Sequence, residues 1–317
     1  MSGPDPRPGV GGAALRQREL LAWGRTRLEG LEASDPAQEA RLLLEWALGV
    51  DSLWSAPDLV GAHAAERFRS GVAQRRAHVP LQHVTGRMWF RGLELLARPG
   101  VFVVRPETEV VAGVAVDAAR TVPSRAVPPR VVPPRDAAHE GAGPLLVDLC
   151  TGSGAIAVAL AHEVEGAHVL AVEIEEAACA LARDNVARLE ARGAIAPGSV
   201  DVVRGDATAA LEGREGTVDV VVSNPPYVPG AQVPTQEEAL QDPPTALYGG
   251  GEDGLVVPRG IVHRSWDLLR AGGVLVVEHA ESQAATLRDV ARGAGFTDVH
   301  SEKDLSGRWR MLVARRP

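Results

Sequence analysis

The chain has 317 residues, 45% of them hydrophobic and 23% charged, and a formal net charge of -8. That length exceeds one ordinary domain, so a catalytic domain with a smaller appendage is the expectation. The acidic balance weighs against a direct nucleic-acid substrate, which needs a basic face, and no segment reaches the roughly 18 apolar residues that cross a bilayer, so no membrane partner and a cytoplasmic location are expected.

After a polar, glycine-rich start, residues from about 13 to 78 carry helical periodicity. Leu20, Leu21, Trp23, Leu28 and Leu31 mark one apolar face. Asp35, Pro36 and Gln38 fit an N-cap, a first-turn proline and a capping-box partner, and Gly49 fits a C-terminal stop. A third helix is predicted over Ala64 to His78, with Phe68 and Val72 inward. Residues 1–79 thus read as a helical domain without a catalytic constellation of its own.

Residues 80–106 change to short β-like runs, Leu93 to Ala97 and Val101 to Val104, with a turn at Pro99-Gly100. They predict a linking hairpin. Residues 107–317 read as the catalytic domain, beginning with a helix from Glu107 to Ala119. Within it, residues 121–144 hold six prolines among Ala, Gly and Arg, the composition of an extended insert.

Beyond the insert the chain alternates strand and helix, as a doubly wound α/β sheet requires. Strands are predicted at Leu145 to Leu149, His168 to Val172, Ser199 to Val203, Val218 to Ser223 and Gly273 to Glu278, and helices near Gly154, Glu175, Pro258 and Ser282. Two last β-like runs, Phe296 to Ser301 and Arg308 to Ala314, predict a terminal β-hairpin and hence a seven-stranded, Rossmann-like mixed sheet. The two cysteines, Cys150 and Cys179, form no C-x-x-C or Cys/His cluster, so neither a metal site nor a disulfide is expected.

Asp148, Cys150, Thr151, Gly152, Ser153 and Gly154 form a strand end, a glycine turn and a helix start. The glycines permit close backbone approach, and the helix N-terminus offers free N–H groups. Glu173 ends the next strand, where an acid can accept from both ribose hydroxyls. By itself this loop fits NAD as well as S-adenosylmethionine. Two features favour the methyl donor: Asp148 just before the turn, and Asp206-Ala207 after the third strand, where an acid can reach an adenine amino group. Asp206 also fits a helix N-cap.

Asn224-Pro225-Pro226-Tyr227 directly follows the apolar strand at Val218, the carboxyl end where open α/β sheets place ligands. Two prolines stiffen the loop and remove two N–H donors, leaving the Asn224 side-chain carbonyl and the Pro225 backbone carbonyl as acceptors. Two aimed acceptors suit a planar NH₂ group held in line with an electrophilic methyl. Tyr227 can cover the flat face of such a substrate.

These motifs resemble the release factor glutamine methyltransferase family, known as PrmC or HemK. The likeness is carried by Pro80-Leu81-Gln82-His83-Val84-Thr85-Gly86, Arg105-Pro106-Glu107-Thr108-Glu109, the glycine loop, Asn224 to Tyr227, Pro244-Thr245-Ala246-Leu247 and Glu278-His279. The resemblance implies a class I S-adenosylmethionine-dependent fold and an N-terminal helical domain that helps bind a peptide chain release factor. It also implies N5-methylation of the glutamine in that factor's Gly-Gly-Gln motif. Thr151 to Gly154 and Glu173 would contact the cofactor, with Asn224 to Tyr227 as the glutamine-binding loop. Cys150 stands where the family often has glycine, and Ala207 where an aromatic can stack on adenine. The alternatives are a glutamine methyltransferase of a ribosomal protein, or an adenine-N6 methyltransferase that flips its base.

Overall fold

The computed structural model describes residues 15–31, 35–122, 143–232 and 237–317. Most of the proline-rich stretch expected over 121–144 therefore lies outside the described residues. The described chain falls into two compact units. One runs up to Arg87 and takes in the 3-10 turn Glu237–Gln241; the other holds the remainder from Met88 on.

In the first unit, β1 (Leu15–Arg16) pairs antiparallel with β2 (Leu59–Val60), alongside α1 (Gln17–Leu28), α2 (Pro36–Leu48), α3 (Ala62–Arg76) and the short α4 (Leu81–Thr85). The start of α2 follows from sequence: Asp35 Oδ1 accepts from the N–H groups of Ala37 and Gln38, and Pro36 occupies a position that needs no donor. Gly49 ends the helix at φ 69°. Leu20, Leu28, Leu43, Leu44, Phe68 and Val72 form the dry centre of the bundle. At its edge Arg75, only 1% exposed, donates to both carboxylate oxygens of Glu39 at 2.8 and 2.9 Å and to Glu238 at 2.7 Å. Glu238 lies far along the chain, on the turn that returns to this unit.

The hairpin that follows, nearly all of it in the second unit, differs from the expected one. β3 (Arg87–Phe90) pairs with β4 (Leu93–Leu96), turning at Arg91 and Gly92, both with positive φ (46° and 79°). Two successive left-handed residues give the tight turn whose twist matches paired strands. The chain also turns at Pro99-Gly100, where Val101 N–H bonds Arg98 O at 3.2 Å, but Val101 to Val104 is not a strand. Val101 and Val103 are still buried, and the Val103 N–H is satisfied by Asp242 Oδ1 at 3.3 Å instead of by a ladder.

After α5 (Pro106–Thr121) come β5 (Leu145–Leu149), α6 (Ala155–Glu163), β6 (His168–Glu173), α7 (Glu176–Ala191), β7 (Val200–Arg204) and β8 (Val218–Ser223). Then follow α8 (Pro244–Leu247), α9 (Val256–Leu268), β9 (Leu269–Glu278), α10 (Ala284–Ala294), β10 (Thr297–Lys303) and β11 (Trp309–Arg315). The strands form one sheet in the order β10-β11-β9-β8-β5-β6-β7, parallel except for β11, which runs antiparallel to both neighbours. The predicted seven-stranded sheet with a terminal hairpin is thus observed; β9 starts at Leu269 where Gly273 was expected.

Alternation along the central strands explains both faces. Leu146, Val220, Val222, Val274 and Val276 pack on the side of α5 and α6. Leu145, Val147, Leu149, Val221, Leu275 and Val277 pack with α9 and α10. The chain leaves β5 toward β6 on one side and reaches β8 on the other, so the sheet reverses its winding between β5 and β8. There Leu149 stands in register with Ser223, which brings the ends of both strands together.

Candidate active site

Both predicted loops start at this switch point. The β5 turn uses three left-handed residues, Cys150 (φ 63°), Gly152 (57°) and Gly154 (84°). Glycine adopts this conformation freely, whereas Cys150 holds it against its own Cβ, the structural meaning of its departure from the family pattern. Gly154 is required twice over: its φ is positive, and a Cβ would lie 3.2 Å from Ala182 Cβ of α7.

Asp148, fully buried, accepts on Oδ2 from Thr151 Oγ1 at 2.5 Å and from Ala157 N–H at 3.1 Å. It thereby ties the strand end to the first turn of α6, while its Oδ1 has no hydrogen-bond partner among the described residues. Glu173 accepts from Gly152 N–H at 2.8 Å on Oε2, and from Ile174 and Glu175 N–H at 2.8 and 2.9 Å on Oε1. Beyond β7, Asp206 Oδ1 accepts from the backbone and hydroxyl of Thr208 at 2.8 and 2.7 Å; this closes a local turn, and because no helix follows, Asp206 is not a helix N-cap. Ala207 is buried with the α9 side of the core. Burial, Glu173, Asp148 and Asp206 together push the Cys150 thiol well up, so the glycine loop sits among three carboxylates. Both cysteines are free.

The Asn224 loop is braced from several directions. Val228 N–H donates to Leu247 O at 2.8 Å, and Gly249 N–H returns a bond to Val228 O at 3.1 Å. Gln283 Nε2 bridges Tyr227 O and Asp253 O, both at 2.8 Å. Asn224 Nδ2 donates to Thr108 Oγ1 at 3.1 Å, Thr108 Oγ1 to Glu278 Oε2 at 2.8 Å, and Tyr227 OH to Glu278 Oε1 at 3.2 Å. Burial first, then Glu278, pushes the Tyr227 phenol up, so it stays a protonated donor.

Family models and known relatives match the chain over most of its length. The PrmC N-terminal domain model matches residues 19–86, and the methyltransferase small domain model matches residues 139–297. A release factor glutamine methyltransferase from Streptomyces coelicolor is 40% identical over 93% of this chain and 96% of its own. The chain belongs to the release factor glutamine methyltransferase family. A relative of the same description from Deinococcus radiodurans is 34% identical over 95% of this chain and 99% of its own. The solved release-factor-specific protein-(glutamine-N5) methyltransferase of Alicyclobacillus acidocaldarius is 26% identical, with a TM-score of 0.38, over 68% of this chain and 95% of that one.

Within this family member, Thr108, Glu278 and Gln283 brace the Asn224 loop, although residue-by-residue reading of the sequence assigned them no task. Thr108 and Glu278 were visible as members of shared motifs; Gln283 carried no signal. The Arg105–Glu109 motif now has a mechanical reading. Arg105 pairs with buried Asp242 at 2.6 Å, Pro106 starts α5, Thr108 reaches Glu278, and Glu109 accepts from Arg91 N–H at 3.0 Å.

Loss of water holds the carboxyls of Asp148 and Glu278 up at about 7. An acid raised in the folded state stabilises fully below its unfolded value of about 4, and that contribution is lost as pH rises toward the folded value. His279, held down by burial, acts in the opposite sense. The Asp148 share is therefore isolated by comparison: the stability of wild type minus that of Asp148→Asn is expected to fall from about pH 4 to about pH 7 and then level off. Thermal melts across that range check it; a difference that grows with pH contradicts it.

Proposed function

We propose that this chain transfers a methyl group from S-adenosylmethionine to the side-chain amide of the glutamine in the Gly-Gly-Gln motif of a peptide chain release factor. The observation that carries this reading is the meeting of the glycine loop and the Asn224–Tyr227 loop at one switch point, in a chain similar to release factor glutamine methyltransferases over nearly its whole length.

Charge supports the choice of donor. S-adenosylmethionine carries a sulfonium and an ammonium, and the loop lies among Asp148, Glu173 and Asp206, with a buried, unpartnered Asp148 oxygen. A dinucleotide pyrophosphate would meet the same carboxylates as like charges. Thr151 to Gly154 would line the methionine end, Glu173 would take the ribose, and Asp206 with Ala207 would border the adenine. When bound, the donor supplies an electrophilic methyl: a nitrogen–carbon bond forms as the sulfur–carbon bond breaks, and one amide proton passes to water.

The protein's part is positioning. Asn224 Oδ1 and the Pro225 carbonyl would accept the two amide hydrogens, turning the nitrogen toward the methyl and strengthening their hold as the nitrogen gains positive charge. Pro226 stiffens the loop, and Tyr227, pinned by its hydroxyl to Glu278, covers the amide face.

Glu173→Ala is expected to weaken S-adenosylhomocysteine binding by about 1.5–3 kcal/mol, since it removes a charged acceptor that also fixes Gly152. Calorimetry measures this, and unchanged affinity removes Glu173 from the site. Substrate class is tested by radiolabel transfer to purified release factors, ribosomal proteins and duplex DNA in parallel. Label in the release factor supports the reading; label only in a ribosomal protein or DNA overturns it.

A further inference from the structure

Asparagine's amide can stand either way round, and only one way presents an acceptor to a substrate NH₂. What decides its orientation here lies on three separate elements of the second unit. Thr108 is on the first turn of α5 and fully buried; Glu278 is the last residue of β9 and 2% exposed; Tyr227 follows the prolines. A hydroxyl has a single proton, and that of Thr108 goes to Glu278 Oε2 at 2.8 Å. Its oxygen can then only accept from Asn224, so Nδ2 turns inward at 3.1 Å and Oδ1 is left outward. Tyr227 OH donates to the other Glu278 oxygen at 3.2 Å, so the ionised carboxylate, which predominates above about pH 7, accepts on both oxygens.

We infer that Thr108 and Glu278 are positioning residues that fix the orientation of the Asn224 amide through this one-way relay. The inference rests on the proposed role of Asn224 as acceptor of the substrate amide. Neither residue touches the reacting atoms. Their effect is to forbid the flipped amide, which would set one NH₂ against another.

Two measurements test the relay, and only the first depends on the substrate reading. In single-turnover methylation of a release factor, Thr108→Val is expected to lose about 10- to 100-fold in rate with S-adenosylhomocysteine affinity unchanged, the range typical of outer partners that orient a contacting group. Thr108→Ser restores most of the rate, because it keeps the hydroxyl. Adding Thr108→Val to Asn224→Ala causes no further loss, since Thr108 acts only through Asn224.

The second measurement needs no substrate. Asn185 and Asn224 are the only asparagines in the chain, so asparagine side-chain ¹⁵N labelling gives two amide signals. In Thr108→Val and in Glu278→Gln the Asn224 signals are expected to shift and exchange faster with water. The Asn185 signals, held by Ser153 O at 2.9 Å and by Leu96, stay in place. A Thr108→Val enzyme with wild-type turnover, a further loss in the double variant, or unmoved Asn224 signals in a folded variant would overturn the relay. A wild-type protein that leaves every release factor unmethylated would overturn the substrate reading instead, with the amide signals still judging the relay.

Discussion

Asn224→Ala is expected to slow methyl transfer by about 100- to 1000-fold, or roughly 2.7–4 kcal/mol, because it removes a fixed acceptor whose hold strengthens as the amide nitrogen becomes positive. Affinity for S-adenosylhomocysteine should change far less, because the proposed cofactor contacts lie on the glycine loop, Glu173 and Asp206. The loop itself should survive the substitution. Two prolines set its backbone, Gln283 holds Tyr227 O, and Val228 is bonded to Leu247 and Gly249 without help from the Asn224 side chain. Single-turnover rates measured beside calorimetry separate the two halves. A variant that keeps more than about a tenth of the wild-type rate would make Asn224 a loop-shaping residue and leave the amide to another group.

Arg75→Leu is expected to destabilise the N-terminal unit by about 3–5 kcal/mol, the scale for removing one partner of a buried ion pair. Arg75 is 1% exposed and satisfies Glu39 twice and Glu238 once, so its loss strands two carboxylates at the edge of an apolar bundle. Burial opposes its charge, yet the two glutamates outweigh that and hold the guanidinium firmly protonated. Denaturant unfolding followed by tryptophan fluorescence reports the change, Trp23 and Trp46 lying against this core. The exposed Arg16–Asp58 pair in the same unit is the control, and removing it should cost well under about 1 kcal/mol. Equal effects at the two sites would mean that Arg75 serves no more than an ordinary surface charge.

Much of the sheet was legible because its strands are short apolar runs closed by glycine, proline or an acid. The Asn224 loop was legible because two adjacent prolines after a buried strand leave acceptors and few donors. The first hairpin was misplaced for a physical reason. The turn that pairs the strands carries Gly92 beside Arg91, a non-glycine at φ 46°, a weaker signal than Pro99-Gly100, which turns the chain without pairing strands. Val101 and Val103 alternate like a strand because they bury like one, but a side chain, Asp242, takes the place of a neighbouring strand.

The supporting contacts were the least legible part of the site. Thr108 and Glu278 stand 170 residues apart, and nothing local to either signals the other. Glu173 was recognised as an acid at a strand end, but not as the residue that receives three backbone N–H groups and so shapes the glycine loop. The same holds for Glu238, which pairs with Arg75 from 163 residues away.

The site of methyl transfer is read by peptide mass spectrometry of a release factor incubated with this protein and isotopically labelled S-adenosylmethionine. One labelled methyl is expected, located on the side-chain amide nitrogen of the Gly-Gly-Gln glutamine and absent when that glutamine is replaced by alanine. A release factor that stays unlabelled in the presence of active, donor-binding protein, or one labelled at any other residue, would contradict that expectation.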